Sequence, residues 1–432
     1  MRRLTFFLSA LAFAFALATT TSTALAQLEP RILPPNVAIA TEEDGATQLK
    51  RDAYNGPNAD GGAKHGPLPI PQGARLRNLT VGPQAEQLIT YWSDGAPGIN
   101  RGHLVRDVDA EAAIIIIHGR ARDGATYWSI ANSALRSALA AAYPGAKQRT
   151  IVIAPQFLST LRNSGQYSAR QLGFADVNAW QVGETATHPS GTAVSSFSAL
   201  DALLTRLADT NAFPNLKSVV LVGHGGGGQM ISRYAVLGEV PSSARYSLRF
   251  VIGDPSTNLY FTPHRPLTSS FDARGHSKAG CPSYNDYRYG FVNMHRYAPT
   301  TAASAKSAKQ YFTRFATRDV VFLIADHDTD PSGDQTCMAI LTGGVARRDR
   351  SLAYWAYLNT LARSSNPSGS SRPIARFATG PNAPPDWSSQ TGGTLRAQLR
   401  VVPDAGHDAA DVFGHSLGRA ALFSRGTMPG GA

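Results

Sequence analysis

The sequence predicts an α/β fold in which a mostly parallel sheet is covered by helices on both faces. Short apolar runs of strand length alternate with longer segments of helical periodicity, which is typical of this class. The 432 residues are 43% apolar, enough for a large core, and 40 glycines and 27 prolines favour a loop-rich architecture over a helical bundle. The composition excludes a disordered chain, a coiled coil and a collagen-like fibre.

The predicted elements follow one another in a regular order. Seven apolar runs have strand character, at residues 87–92, 112–117, 150–154, 218–222, 248–252, 320–325 and 399–402. The clearest helical patterns lie at residues 195–204 and 229–237. Two segments interrupt the alternation: residues 254–309, predicted to form a cap or lid insertion, and a Ser/Pro/Gly-rich loop at residues 364–394. Both insertions belong to one predicted domain, residues 76–425.

The first 26 residues have the pattern of a secretory signal peptide. Arg2 and Arg3 precede an apolar stretch, and Ala24-Leu25-Ala26 forms a small-x-small cleavage site before Gln27. The alternative is an uncleaved membrane anchor, but the apolar run is shorter than the roughly 20 residues that a span needs. We therefore expect a secreted or periplasmic protein with no membrane span. Residues 27–75, rich in Pro and Gly, are predicted to form an extended arm.

The charge pattern gives no indication of a nucleic-acid partner. Lys and Arg total 41 and Asp and Glu total 30, a net charge of +11 that falls to +9 without the signal peptide. The positive residues are scattered, so binding to an anionic polymer is the weaker alternative. No sequence feature indicates an oligomeric state.

The chain contains two cysteines, Cys281 and Cys337. An even number of cysteines in an exported chain favours a disulfide, here one between the predicted cap and a later segment. The alternative is two separate buried thiols.

A glycine-rich turn joins a predicted buried strand to a predicted helix. The strand run at residues 216–222 is followed by Gly-His-Gly-Gly-Gly-Gly and then by the helical pattern that starts at Gln229. In this context the common pattern is G-x-S-x-G, the nucleophile elbow, but its middle position here is Gly225. The segment resembles the α/β-hydrolase superfamily, specifically secreted esterase-like members with a GHS-x-GGQ elbow. The resemblance extends from Arg77 to about Phe423 and implies the α/β-hydrolase fold.

The resemblance also implies an oxyanion hole. The strand at residues 112–117 leads into His118-Gly119-Arg120, where members of the superfamily have a loop that supplies one oxyanion amide. The backbone N–H of Arg120 is the first candidate, and that of Gly226, which follows the nucleophile position, is the second. His118 itself is expected to be structural.

Two further motifs match the positions of the superfamily's acid and histidine. The strand at residues 320–325 is followed by three carboxylates, of which Asp328 best fits the family spacing, with Asp326 and Asp330 as alternatives. The late strand at residues 399–402 is followed by Gly-His, which makes His407 the candidate catalytic histidine. Nucleophile position, acid and histidine then occur in the superfamily order.

Other interpretations of these motifs are weaker. The glycine-rich turn lacks the Lys-Ser/Thr ending of a phosphate loop and a G-x-G-x-x-G pattern followed by a ribose-binding acid. The three carboxylates could bind Ca²⁺, but the Gly and closing Glu of an EF-hand are missing. We therefore predict neither a metal nor a cofactor. The perfect G-x-S-x-G match around Ser416 is a decoy, since no buried strand precedes it and too little chain follows it.

A glycine at the nucleophile position removes the atom that attacks the substrate. The implied function is that of a carboxylic-ester hydrolase which is inactive or weakly active, so whether the chain is an enzyme stays open. Three explanations fit: a natural pseudo-hydrolase, an enzyme in which His407 activates water, or an inactivating change in an active parent. The competing function is a non-catalytic binding protein that uses the same pocket. In either case the expected partner is a small-molecule ester or an apolar ligand.

Overall fold

The computed structural model describes residues 65–93, 105–175, 179–267, 276–294, 306–364 and 375–424. The predicted signal peptide and most of the predicted arm lie outside the described residues, as do parts of both predicted insertions. No helix within the described ranges has the length and hydropathy that a membrane span requires.

An eight-stranded sheet forms the centre of the described residues. Its strands are β1 (Ala74–Thr80), β2 (Gln87–Ser93), β3 (Ala112–Ile117), β4 (Thr150–Gln156), β7 (Ser218–His224), β8 (Ser247–Gly253), β9 (Asp319–Ala325) and β10 (Gln398–Val402), while β5 (Leu158–Ser159) and β6 (Gly173–Phe174) form a small separate pair. The spatial order is β1-β2-β4-β3-β7-β8-β9-β10. The pairs β1–β2 and β2–β4 are antiparallel and the others are parallel. The predicted, mostly parallel α/β sheet is confirmed.

The sheet separates two apolar layers because successive side chains of a strand point to opposite faces. Ile115 and Ile117 of β3 belong to one core cluster, whereas Ile114 and Ile116 belong to the other. A strand buried on both faces is a continuous apolar run, which is why the sequence shows the central strands clearly.

The edge strand β1 is missing from the sequence prediction. Its residues, ARLRNLT, include one buried position and are otherwise half-buried or exposed, so they offer little continuous hydrophobicity. An antiparallel edge strand needs only one apolar face, so its sequence signal is weak. β1 begins at Ala74, and the last two residues assigned to the arm therefore belong to the sheet.

Helices cover both faces of the sheet. Within the described ranges, the α-helices are α1 (Gly124–Ala140), α2 (Ser196–Leu207), α3 (Gly226–Leu237), α4 (Ala308–Thr317), α5 (Cys337–Ile340), α6 (Arg347–Ala362), α7 (Ser388–Thr391), α8 (Ala409–Gly414) and α9 (Ser416–Phe423). Both predicted helices are present. Ser195 caps α2 by accepting a hydrogen bond from Ser198 N, so that helix begins one residue later than its pattern. α3 begins three residues before its pattern because the glycines at its start carry no hydrophobic signal.

A disulfide joins Cys281 to Cys337, the first residue of α5, as the cysteine count predicts. The two Cα atoms lie 5.9 Å apart, and the bridge closes a loop with a sequence separation of 56. Both cysteines pack in a small apolar cluster with Tyr289 and Met338. The bridge thus ties the described part of the predicted cap to the segment after β9.

Titration of the unfolded, unreduced protein is expected to detect no free thiol. Reduction is expected to lower the free energy of unfolding by roughly 4 kcal/mol, because chain entropy in the unfolded state rises when a loop of this length opens. Denaturant unfolding with and without reductant measures the difference. Two free thiols in the unreduced chain would contradict the pairing.

Candidate active site

The turn between β7 and α3 has the shape of a nucleophile elbow. β7 ends at His224, α3 begins at Gly226, and Gly225 between them has φ +56° and ψ −113°. This backbone conformation is strained for residues with a side chain and open to glycine. A Cβ atom built on Gly225 would lie 3.1 Å from His407 Nε2. The position that normally carries the nucleophile therefore faces the imidazole of His407.

Close packing of α3 against the sheet explains why two positions at the start of this helix are glycines. A Cβ on Gly227 would lie 2.3 Å from the carbonyl oxygen of Ile117, and one on Gly228 would lie 2.1 Å from that of Gly253. Neither position can carry a side chain without moving the sheet. Close contact between helix and sheet thus explains much of the glycine run without a phosphate ligand.

Asp328 and His407 are brought together by neighbouring strands. β9 and β10 are parallel with Ala325 opposite Val402, so the loops that follow them lie side by side. His407 Nδ1 is 2.9 Å from Asp328 Oδ2. Of the three candidate carboxylates, Asp328 makes this contact and is buried, whereas Asp330 is exposed.

Sequence reasoning missed Arg347, the second partner of Asp328. Its Nη1 donates hydrogen bonds to Asp328 Oδ1 at 3.0 Å and to Ser332 Oγ at 2.8 Å. The Arg347 and Asp328 side chains are only 4% and 1% exposed. Because the Asp328 carboxylate is paired and hydrogen-bonded, it stays ionised. Its negative charge is already balanced by the Arg347 guanidinium, which argues against a Ca²⁺ ion bound at the acidic cluster.

The two acid–base groups have shifted pKa values. Burial alone would raise the pKa of Asp328, but His407 and Arg347 together hold it well below its usual range. Burial, helped by the positive charge of Arg347 and by His224, lowers the pKa of His407, and the attraction of Asp328 only partly offsets this. His407 is therefore neutral at neutral pH. With Nδ1–H donating to Asp328, Nε2 is the nitrogen that can accept a proton.

Solved structures with a similar fold are known. A poly(3-hydroxybutyrate) depolymerase from Bordetella parapertussis is 15% identical, with 83% of this chain and 92% of that chain covered at a TM-score of 0.50. The chain has the α/β-hydrolase fold. Poly(aspartic acid) hydrolase-1 from Sphingomonas sp. KT-1 is 18% identical, with 79% of this chain and 96% of that chain covered at a TM-score of 0.47. No protein-family model and no curated protein matches the sequence.

The two candidate oxyanion amides of this hydrolase fold lie close together. A Cβ on Gly226 would lie 3.1 Å from the backbone nitrogen of Arg120 and 3.1 Å from Gln181 Nε2. Gly226 is the first residue of α3, where backbone N–H groups have no partner within the helix and the helix dipole favours negative charge. Gln181, held by Gln229 through a 3.0 Å hydrogen bond, is a further polar neighbour that no motif indicated.

His118 and Ser416 have the structural roles that the sequence predicts. His118 Nε2 accepts a hydrogen bond from Phe157 N and Nδ1 donates to Gly119 O, while burial lowers the pKa of His118 to about 3. Ser416 is an exposed residue at the start of α9. It follows a helix and not a buried strand.

His224 and Asp254 form another buried pair, which lies beside the elbow. His224 Nε2 is 3.2 Å from Asp254 Oδ2, and the rings of His224 and His407 have centroids 4.5 Å apart. Asp254 directly follows β8, and β8 places Gly253 opposite His224 of β7. Carboxyl ends of neighbouring parallel strands meet at one edge of a sheet, but the predicted strands did not reveal that β7 and β8 are neighbours, and no motif marked this pair.

Proposed function

We propose that the chain is a secreted protein of the carboxylic-ester hydrolase type whose nucleophile position, Gly225, is vacant, so that it is weakly active or inactive as it stands. His407 is the base and Asp328 orients it. The backbone N–H groups of Arg120 and Gly226 stabilise the oxyanion, and the ligand is a small ester or an apolar analogue. Secretion is supported by the pattern of residues 1–26 and by the disulfide.

One observation carries the proposal. His407 Nε2 lies 3.1 Å from where a Cβ on Gly225 would be, at the tip of a strand–turn–helix elbow. A fold hosts many reactions, so the fold likeness does not decide this one; the positions of base, acid and amides support it. What is absent is an atom that can attack a carbonyl.

Water can take the place of the absent hydroxyl. In the proposed reaction, His407 Nε2 removes a proton from water as its oxygen attacks the ester carbonyl, and the two amides stabilise the resulting oxyanion. Collapse of this intermediate breaks the bond to the alcohol oxygen, which takes the proton back from His407. The reaction forms no covalent bond between substrate and protein. It depends on the oxyanion hole and on binding, which still accelerate the reaction roughly 10³–10⁴-fold over water in serine hydrolases that lack a triad residue.

The unaltered chain is expected to hydrolyse a short-chain aryl ester slowly, and His407→Ala is expected to abolish this activity because His407 Nε2 lies 3.1 Å from where a Cβ on Gly225 would be. His327→Ala is the matched control, since His327 is an exposed histidine whose ring lies 4.0 Å from Asp404. If His407→Ala leaves the activity unchanged, His407 is not the base. If the unaltered chain binds the ester without turning it over, the vacant elbow supports the binding-protein function instead.

The acid limb of the pH–rate profile is expected below the usual histidine range. The base must be neutral, and burial lowers the pKa of His407, so activity persists below about pH 6.5 before protonation removes it. The measurement is kcat/KM for the aryl ester against pH, in the unaltered chain or in a variant with a nucleophile. A midpoint above about 6.5 would contradict a base in this environment.

A further inference from the structure

Three potential metal ligands converge beside the elbow. His224, Asp254 and His407 each offer one ligand atom, and these atoms all lie within 4.8 Å of one another. The residues come from three different places along the chain: the end of β7, the residue after β8 and the loop after β10. His224 and Asp254 have no role in the ester hydrolysis proposed above.

His224 and Asp254 are not an ordinary hydrogen-bonded pair. Their side chains are only 3% and 0% exposed, and His224 Nε2 and Asp254 Oδ2 lie 3.2 Å apart. Yet neither atom has a hydrogen-bond partner among the residues that the structure describes. Leaving two buried polar atoms unsatisfied is costly, and a bound group that accepts both lone pairs removes the cost.

Asp254 is held in position for such a role. Its other oxygen, Oδ1, accepts a 2.7 Å hydrogen bond from Ala325 N, which leaves Oδ2 directed at His224. The Asp254 backbone has φ +39°, an uncommon value for a residue other than glycine. Strained backbone of this kind persists where the surrounding structure fixes it, and it clusters at ligand sites.

We propose that His224, Asp254 and His407 form a binding site for one divalent transition-metal ion of the zinc type. Two imidazoles and one carboxylate suit Zn²⁺ and its neighbours, whereas Ca²⁺ and Mg²⁺ prefer sets of oxygen ligands. Three protein ligands with one open position is the arrangement of catalytic zinc sites. This site goes beyond the proposed ester hydrolysis and does not depend on it.

The spacing of the ligand atoms is compatible with a tetrahedral ion. Bonds of about 2.1 Å give ligand–ligand spacings of roughly 3.4 Å, close to the 3.2 Å between His224 Nε2 and Asp254 Oδ2. No spacing in the cluster exceeds 4.8 Å, so a contraction of at most about 1.4 Å is needed, within reach of side-chain rotation at the half-buried His407.

Asp328 supplies the outer contact that metal-binding histidines usually have. Its hydrogen bond to His407 Nδ1 fixes the ring and leaves Nε2 as the nitrogen that can bind an ion. Gly225 adds no side chain to the neighbouring space, which keeps room for water as a fourth ligand. Because the ion and the proton would use the same lone pair of Nε2, bound metal and the base function of His407 exclude each other.

The test is a calorimetric titration of Zn²⁺ into the full chain, free of affinity tags and treated with a chelator. The unaltered chain is expected to bind one ion. His224→Gln keeps a side chain of similar size, and Asp254→Asn keeps an oxygen that can accept the hydrogen bond from Ala325 N. Each of these two variants is expected to weaken Zn²⁺ binding by more than about 100-fold. Asp328→Asn is expected to weaken it by about 10–100-fold. His327→Gln, at an exposed histidine, is the matched control and is expected to bind normally.

Thermal unfolding provides a second, independent measurement of Zn²⁺ binding. A bound ion stabilises the folded chain, so Zn²⁺ is expected to raise the Tm of the unaltered chain and of His327→Gln but not that of His224→Gln or Asp254→Asn. Absence of stoichiometric binding to the unaltered chain would overturn the proposal. So would undiminished affinity in both ligand variants, since the ion would then bind elsewhere. None of these measurements depends on ester turnover, so the metal-site proposal can be refuted without refuting the proposed ester hydrolysis, and the reverse.

Discussion

Gly225→Ser is expected to raise kcat/KM for a short-chain aryl ester by at least about 10³-fold. Loss of the serine from a working triad costs about 10⁶-fold in kcat, and the proposed base, its proposed acid partner and the proposed oxyanion amides surround Gly225. In the proposed arrangement, the new hydroxyl supplies the part that is missing. Ester turnover by the purified variant and by the unaltered chain measures the gain.

The geometry limits the size of this gain. A Cβ on Gly225 would lie 3.1 Å from His407 Nε2 and 3.5 Å from its Cε1, so the ring must move by a few tenths of an ångström to accept a hydrogen bond from the hydroxyl. The φ of +56° is also unfavourable for serine, and we expect a stability loss of about 1–3 kcal/mol. A lowered Tm together with higher activity is therefore the expected pair of results.

A fluorophosphonate probe separates the elbow from the decoy motif. The probe is expected to label Gly225→Ser, with a bond forming from the hydroxyl oxygen to phosphorus as fluoride leaves, and not to label the unaltered chain. Adding Ser416→Ala to Gly225→Ser is expected to change nothing, because Ser416 is exposed on α9. A folded Gly225→Ser variant that stays unlabelled and inert toward esters would show that the pocket has lost its catalytic geometry.

Local sequence patterns were sufficient to predict those features that are determined by residues close together in the chain. A strand that is buried on both faces, such as β3 with its four consecutive isoleucines, can be recognised from its continuous apolar sequence. The position of Gly225 followed from the strand before it and the glycines after it. Asp328 and His407 were chosen because each follows a strand at a spacing that resembles the superfamily's, and the structure places the two side chains 2.9 Å apart.

The parts that sequence reasoning missed depend on contacts between distant segments. Arg347 begins α6 and reaches Asp328 across the fold, and nothing around it in sequence marks it. Gln181 lies in a short 3-10 helix, Ala179–Val182, whose position relative to α3 is fixed only by tertiary packing. The approach of His224 to Asp254 needed the strand order, since β7 and β8 are neighbours only once the sheet is assembled.

Asp328→Asn in the Gly225→Ser background is expected to lower kcat by about 10⁴-fold. Asn cannot hold the Nδ1–H tautomer of His407 or stabilise the imidazolium that forms during attack, which is the effect seen when a triad acid is neutralised. Asp328 also pairs with the buried Arg347, so the same change removes a charge partner and is expected to cost stability. Circular dichroism and the Tm of the variant show whether it still folds.

Asp330→Asn is the matched control for this change. Asp330 carries the same side chain two residues later in the same loop but is exposed, so its neutralisation is expected to leave kcat within about twofold. Asp326→Asn, at a half-buried position before Asp328, tests the remaining alternative. A 10⁴-fold loss at Asp330 or Asp326 with full activity in Asp328→Asn would show that the acid had been assigned to the wrong carboxylate. A loss confined to Asp328→Asn, in a variant that remains folded, would support the assignment of Asp328 as the carboxylate that orients His407, because Asp328 is the candidate that contacts Nδ1.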